Sequence, residues 1–167
     1  RNIMQQLARG LQGLHRQEML HQDLKPDNIL ISPDGKVTII DFGAARVAGL
    51  EEAQTSLPQI NLLGAAQYAA PEYFVGGIGS PSSDQFSLGV IAYQILTGQL
   101  PYGNAVPRVR STKAIQALRY SSASEMNSDI PNWMDAAIKR AVNPTPENRY
   151  TQISEFIHDL FHPFTTP

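Results

Sequence analysis

Apolar residues Ile3, Met4, Leu7, Leu11 and Leu14 recur at helical spacing, with glutamines and arginines between them, which predicts an amphipathic helix. No capping residue precedes the run, so the helix is expected to begin upstream of Arg1, and Arg1 to lie inside a longer protein. Two short β-branched-rich runs follow at 28–31 and 37–40. The turn sequence Pro33-Asp34-Gly35 separates them, and the pattern predicts a β-hairpin. From 43 to 69 no period is sustained, and Gly49, Pro58 and Gly64 interrupt the segment. A connection that long is usually functional or mobile. The loop at 76–83 leads into a nearly apolar helix over 86–96, with Asp84 as its expected N-cap and Thr97-Gly98 at its end. Further helical patterns fall at 112–120, 131–142 and 151–161. A Ser/Asn-rich loop at 121–128 and a Pro-rich stretch at 143–147 divide them, and there is no internal repeat. The apolar stripes of these last three helices read as core.

Composition narrows the function classes. The chain has 167 residues and 42% hydrophobic positions, enough for one packed domain that buries roughly 70% of its unfolded surface. Thirteen basic residues stand against 15 acidic ones, and a net charge of −2 gives no general attraction to nucleic acid or anionic membrane. The absence of cysteine excludes disulfides, thiolate metal sites and a cysteine nucleophile. The near-apolar run at 86–96 is too short to span a bilayer, so no membrane segment is expected in this chain.

The chemistry concentrates in His21-Gln22-Asp23-Leu24-Lys25-Pro26-Asp27-Asn28 and, 13 residues after Asn28, Asp41-Phe42-Gly43. Asp23 and Lys25 lie close in a pre-strand loop, so a carboxylate and an ammonium can face one small volume. Asn28 opens the expected hairpin and Asp41 closes it, which brings an amide oxygen and a carboxylate together in a way that suits Mg²⁺. A base, a fixed cation and a magnesium pair make a phosphoryl-transfer site, which works by positioning and charge neutralisation.

These residues resemble the C-terminal lobe of a Ser/Thr protein kinase of the bacterial, eukaryotic-like type. The catalytic-loop pattern (21–28) matches at His21, Asp23 and Asn28, and the magnesium-loop pattern (41–43) at Asp41-Phe42-Gly43. Ala70-Pro71-Glu72 matches the motif that closes the activation segment (41–72). Asp84 matches the aspartate that opens the lobe's central helix, and Arg149 the arginine that pairs with the closing glutamate, here Glu72. The chain is also similar to fusions of this kinase type to a bacterial phosphatase domain. The resemblance implies a mainly α fold: a kinase-like C-terminal lobe, a helical bundle with a short catalytic β-hairpin, lacking its N-terminal lobe.

It also implies roles. Asp23 would accept the substrate hydroxyl proton, and Lys25 would steady the transferring phosphoryl group. Asn28 and Asp41 would hold magnesium, Leu30 would lie under the adenine of ATP, His21 would be a buried histidine holding the loop through hydrogen bonds, and Phe42 a packing residue. Lys25, two residues after the aspartate, is the Ser/Thr rather than the tyrosine pattern. The partners implied are a protein substrate with a Ser or Thr hydroxyl and the missing N-terminal lobe, in the cytoplasm.

Three departures matter. Gln22 stands where an arginine commonly pairs with an activation-loop phosphate, so Thr55→Ala and Ser56→Ala are expected to leave activity intact. Ala65 replaces a threonine that ties the aspartate to the lysine. No Gly-rich loop or N-lobe lysine is present, so the isolated lobe is expected to be inactive, with its bare inter-lobe face open to self-association. The alternative is a pseudokinase or docking module that binds a partner without phosphoryl transfer. His158 and His162 share a helical spacing but lack a third ligand nearby, so a surface helix end is the simpler reading. Arg108, Arg110, Lys113 and Arg119 read as a solvated basic face rather than a site for an acidic partner.

Overall fold

Helix α1 (Asn2–Arg16) buries Met4, Leu7, Ala8 and Leu11, the stripe that its spacing predicts, and ends in the basic turn His15-Arg16, which complements the helix dipole. The computed structural model describes residues 1–40, 46–47 and 65–163. After α1 the chain turns through Glu18, at φ 57°, into β1 (Met19–Leu20). The hairpin strands β2 (Ile29–Ile31) and β3 (Val37–Ile39) pair antiparallel with Ile29 opposite Ile39. Gly35 takes φ 85° in the connecting turn, where a side chain would be strained. The backbone of β4 (Arg46–Val47) pairs antiparallel with β1.

Local chemistry fastens the hairpin to α1. Gln6 donates through Nε2 to the Gly35 carbonyl at 2.9 Å and accepts the Val37 N–H at 2.8 Å. Gly10 lets the strand come close, since a Cβ there would stand 2.9 Å from Ile39 Cδ1. Residues 21–28 connect β1 to the hairpin that is fastened in this way to α1.

Helix α2 (Pro81–Thr97) runs through the middle and is buried all round from Ser83 to Tyr93. It starts earlier than its apolar run suggests. Pro81, with φ already suited to a first helical turn, follows Ser80, and Ser80 and Ser83 form a reciprocal capping box. Asp84 is therefore not the N-cap. It lies one turn inside α2 at 1% exposure, with its carboxylate turned toward another part of the chain.

The remaining helices are α3 (Thr112–Gln116), α4 (Ala123–Met126), α5 (Asn132–Ala141) and α6 (Ile153–Phe161). Two of these differ from the sequence pattern. Helix α3 stops short of Tyr120, whose ring packs edge-on against Tyr93 and Tyr102 and whose hydroxyl donates to Asp135 at 2.7 Å. The Ser-rich stretch expected as loop contains α4. Its free N–H groups, on Ala123 and Ser124, are accepted by Asp135 of α5.

One core joins α1, α2, α5 and α6 through Leu7, Leu11, Leu88, Tyr93, Ile138 and Phe156. A second gathers Tyr73, Phe86, Val90, Tyr102 and Val142. Each fully buried large side chain contributes about 1.5–3 kcal/mol. The architecture is mainly helical with two small two-stranded sheets among the described residues.

Candidate active site

Asp23 and Lys25 are brought together between β1 and β2. Lys25 Nζ stands 3.6 Å from Asp23 Oδ2, and both side chains keep partial access to solvent. Asn28 ends the short 3-10 turn Pro26–Asn28 and is 4% exposed. Its Nδ2 donates to the Asp23 carbonyl at 2.7 Å and lies 3.3 Å from Asp23 Oδ2. That commitment leaves Asn28 Oδ1 without a donor among the described residues. An unclaimed amide oxygen is a hard ligand that suits magnesium. The Asn28 carbonyl accepts the Ile40 N–H at 2.8 Å, so hairpin pairing reaches one residue short of Asp41. Asp41, Phe42 and Gly43 lie outside the described residues, as does the side chain of Ala65. Among the described residues no group of three or more His, Cys, Asp or Glu side chains is placed to hold a metal.

The loop's shape is imposed from below. Asp84 Oδ2 accepts the His21 N–H and Oδ1 the Gln22 N–H, each at 2.9 Å. His15 Nε2 donates to Asp84 Oδ2 at 2.9 Å. A buried carboxylate needs such donors, and here they come from two separate segments. Gln22 sits at φ 68°, a left-handed conformation uncommon for a non-glycine residue, and the Asp84 bond holds it there. His21 is fully buried. Its Nδ1 accepts the Asp23 N–H at 3.2 Å, so the proton sits on Nε2, which faces the Ile40 carbonyl at 3.2 Å. Asp23 is thus oriented by hydrogen bonds to its own backbone from the residues on either side.

Glu72 and Arg149 form a bidentate pair at 2.8 and 2.9 Å. The guanidinium also donates to the carbonyls of Asn143 at 2.7 Å and Ser82 at 3.1 Å, and it lies over the Phe86 ring. Pro71–Val75 is a 3-10 turn, so this pair pins the end of the 41–72 segment to α2 and to the turn before α6. Leu30 is 54% exposed on the open side of the hairpin. The rings of His158 and His162 stack 4.5 Å apart at the end of α6, far along the chain from Asp23.

The structure adds His15, which the sequence reading used only as helix. A signal was present: His15 lies four residues beyond Leu11, on the buried stripe, and a polar residue there needs a partner.

The chain is similar to known proteins over nearly its whole length. A model of the protein kinase domain family matches residues 1–164. The chain is 30% identical to the serine/threonine-protein kinase PrkC of Bacillus subtilis, over 95% of this chain and 24% of that protein. It is 34% identical to the serine/threonine-protein kinase PknB of Mycolicibacterium smegmatis, over 95% of this chain and 25% of that one. The chain therefore spans about a quarter of the length of these relatives. Among solved structures, the twitchin kinase region from C. elegans superposes with a TM-score of 0.75 at 25% identity, covering 99% of this chain and 29% of that one. No helix among the described residues is long and apolar enough to cross a membrane. The chain belongs to the protein kinase domain family, within its bacterial, eukaryotic-like Ser/Thr branch.

Proposed function

We propose that residues 1–167 are the catalytic C-terminal lobe of a cytoplasmic Ser/Thr protein kinase, which transfers the γ-phosphoryl group of ATP to a Ser or Thr hydroxyl of a protein substrate. The observation that carries this reading is the grouping of Asp23, Lys25 and Asn28, held in place by buried Asp84. Asp23 would accept the proton of the attacking hydroxyl, and its hydrogen-bonded backbone keeps the carboxylate in one orientation. Lys25, 3.6 Å away, would place a positive charge beside the transferring group. Asn28 Oδ1 and the Asp41 carboxylate would hold magnesium, which when bound neutralises charge on the phosphates. Leu30 offers an exposed apolar face for the adenine. The chain has no Gly-rich loop or N-lobe lysine of its own, so the lobe alone is expected not to turn over.

The test is phosphate transfer from labelled ATP by the full-length protein. Asp23→Asn keeps the shape and removes the base, and the rate is expected to fall by about 10²–10⁴. Transfer at an undiminished rate would refute the assignment of Asp23.

A further inference from the structure

The end of α6 carries a hydrogen-bonded pair of imidazoles. His158 lies in the last turn of the helix, and His162, four positions on, is its C-cap. Their rings are nearly parallel, at 17°, with centroids 4.5 Å apart. Each ring is held through the same atom. His162 Nδ1 donates to the His158 carbonyl at 2.8 Å. His158 Nδ1 faces Asp159 Oδ1 at 3.2 Å, and Tyr150 Oη donates to the other oxygen of that carboxylate at 3.0 Å. Tyr150 is buried and its ring packs against Phe156, so the chain from Tyr150 through Asp159 to His158 runs from the core to the surface. A ring nitrogen that faces a carbonyl or a carboxylate carries the proton, which leaves Nε2 as the lone-pair atom of both neutral rings. Nε2 is the ring nitrogen farther from the backbone. Both side chains are exposed, and neither Nε2 has a hydrogen-bond partner among the described residues.

We propose that His158 and His162 form a surface site for a late transition-metal dication, copper(II) above all, which both imidazoles ligate through Nε2. A histidine that ligates a metal almost always donates its other ring N–H to a carboxylate or a backbone carbonyl, and this pair shows one of each. Metal–nitrogen bonds of about 2.0–2.1 Å let donors up to ~4 Å apart share an ion. Parallel rings 4.5 Å apart need only a small inward tilt to reach that distance. Two adjacent nitrogens, with water in the remaining positions, suit the tetragonal geometry of copper(II), whereas zinc sites are built from three or four protein ligands. Among the described residues no third His, Cys, Asp or Glu side chain is grouped with the pair to hold a metal. Copper(II) also stands highest in the affinity order of the first-row dications for such ligands. The site is chemically distinct from Asn28 and Asp41, because magnesium takes oxygen ligands and imidazole is a poor match for it. This chain has no cysteine to compete for copper. The inference does not rest on the kinase reading.

The experiment titrates copper(II) chloride into the full-length protein in a non-coordinating buffer, read by calorimetry and electron paramagnetic resonance. The expected result is one equivalent of copper that the parent binds and the double variant His158→Ala with His162→Ala does not. Electron spin-echo modulation of that copper should show two imidazoles. Either single variant should weaken its binding about tenfold or more, because the second donor acts at a high effective concentration. Asp159→Asn keeps both ligands but removes the carboxylate behind His158, and should weaken binding about tenfold. Magnesium in large excess should leave the copper in place. Both histidines are exposed, so the variants are expected to fold as the parent does, which circular dichroism checks before titration. Equal copper uptake by parent and double variant, a single-imidazole signal in the parent, or displacement by magnesium would overturn the site. Binding only at millimolar copper would overturn it as well. A full-length protein that binds copper in this way but transfers no phosphate would sink the kinase reading and leave the metal site supported.

Discussion

Replacing Arg149 by methionine puts a number on the anchor beneath the 41–72 segment. The guanidinium is 0% exposed and makes two bonds to Glu72, one to the Asn143 carbonyl and one to the Ser82 carbonyl. Methionine fills much of the stem volume but leaves the Glu72 carboxylate, 13% exposed, with the Ser83 hydroxyl as its remaining partner among the described residues. Breaking a buried pair in this way costs about 3–5 kcal/mol, mostly from the abandoned charge. An entropy of unfolding of about 2.1 cal/mol/K per residue sums to roughly 0.35 kcal/mol/K for this length, so the expected fall in Tm is about 9–14 °C. The assay is reversible urea unfolding followed by far-ultraviolet circular dichroism, with a thermal scan beside it. Arg149→Met combined with Glu72→Leu removes both charges and should recover most of the loss. Arg149→Lys keeps the charge but not the fork, and should fall in between. A single variant within about 1 kcal/mol of the parent, or a double variant no better than the single, would refute the account.

The glycines of the helices separate into two kinds. Gly89→Ala would place a Cβ 2.7 Å from Val142 Cγ1 and 3.1 Å from Ala141 Cβ, so overpacking of about 1–3 kcal/mol should outweigh a helix-propensity gain of about 1 kcal/mol. Gly13→Ala meets nothing within 4 Å and should raise stability by about 0.5–1 kcal/mol, both shifts being read as urea midpoints. Acid should expose Asp135. Burial alone would raise its carboxyl, but hydrogen bonds from the Ser122 and Tyr120 hydroxyls, the Ala123 backbone and the Ser124 hydroxyl outweigh that and hold it below the ordinary range. A depressed folded-state value means that its contribution is complete above the unfolded value near ~3.9 and is lost as pH falls through the lower folded one. Asp135→Asn should therefore be less stable than the parent at neutral pH, and the difference should shrink as pH drops below ~3.9, measured as the urea midpoint against pH. A difference constant with pH would count against this balance.

Much of this protein could be read from local pattern. The α1 stripe, the hairpin and its turn, and the spans of α5 and α6 follow from side-chain period and turn residues, because those signals act between neighbours in the chain. The grouping of Asp23, Lys25 and Asn28 was legible for the same reason: six residues of sequence hold all of them. What tertiary structure decided lies in contacts between distant segments. Asp84 reads as a helix cap until α2 is seen to begin at Pro81, which frees its carboxylate to hold the His21 and Gln22 backbone 63 and 62 positions away. Helix α4 exists because Asp135, on another helix, accepts its first N–H groups, and α3 ends early because Tyr120 finds partners in α2 and α5. Burial decides which polar groups must find partners, and burial is a property of the packed chain, whereas period and turn chemistry belong to the sequence itself.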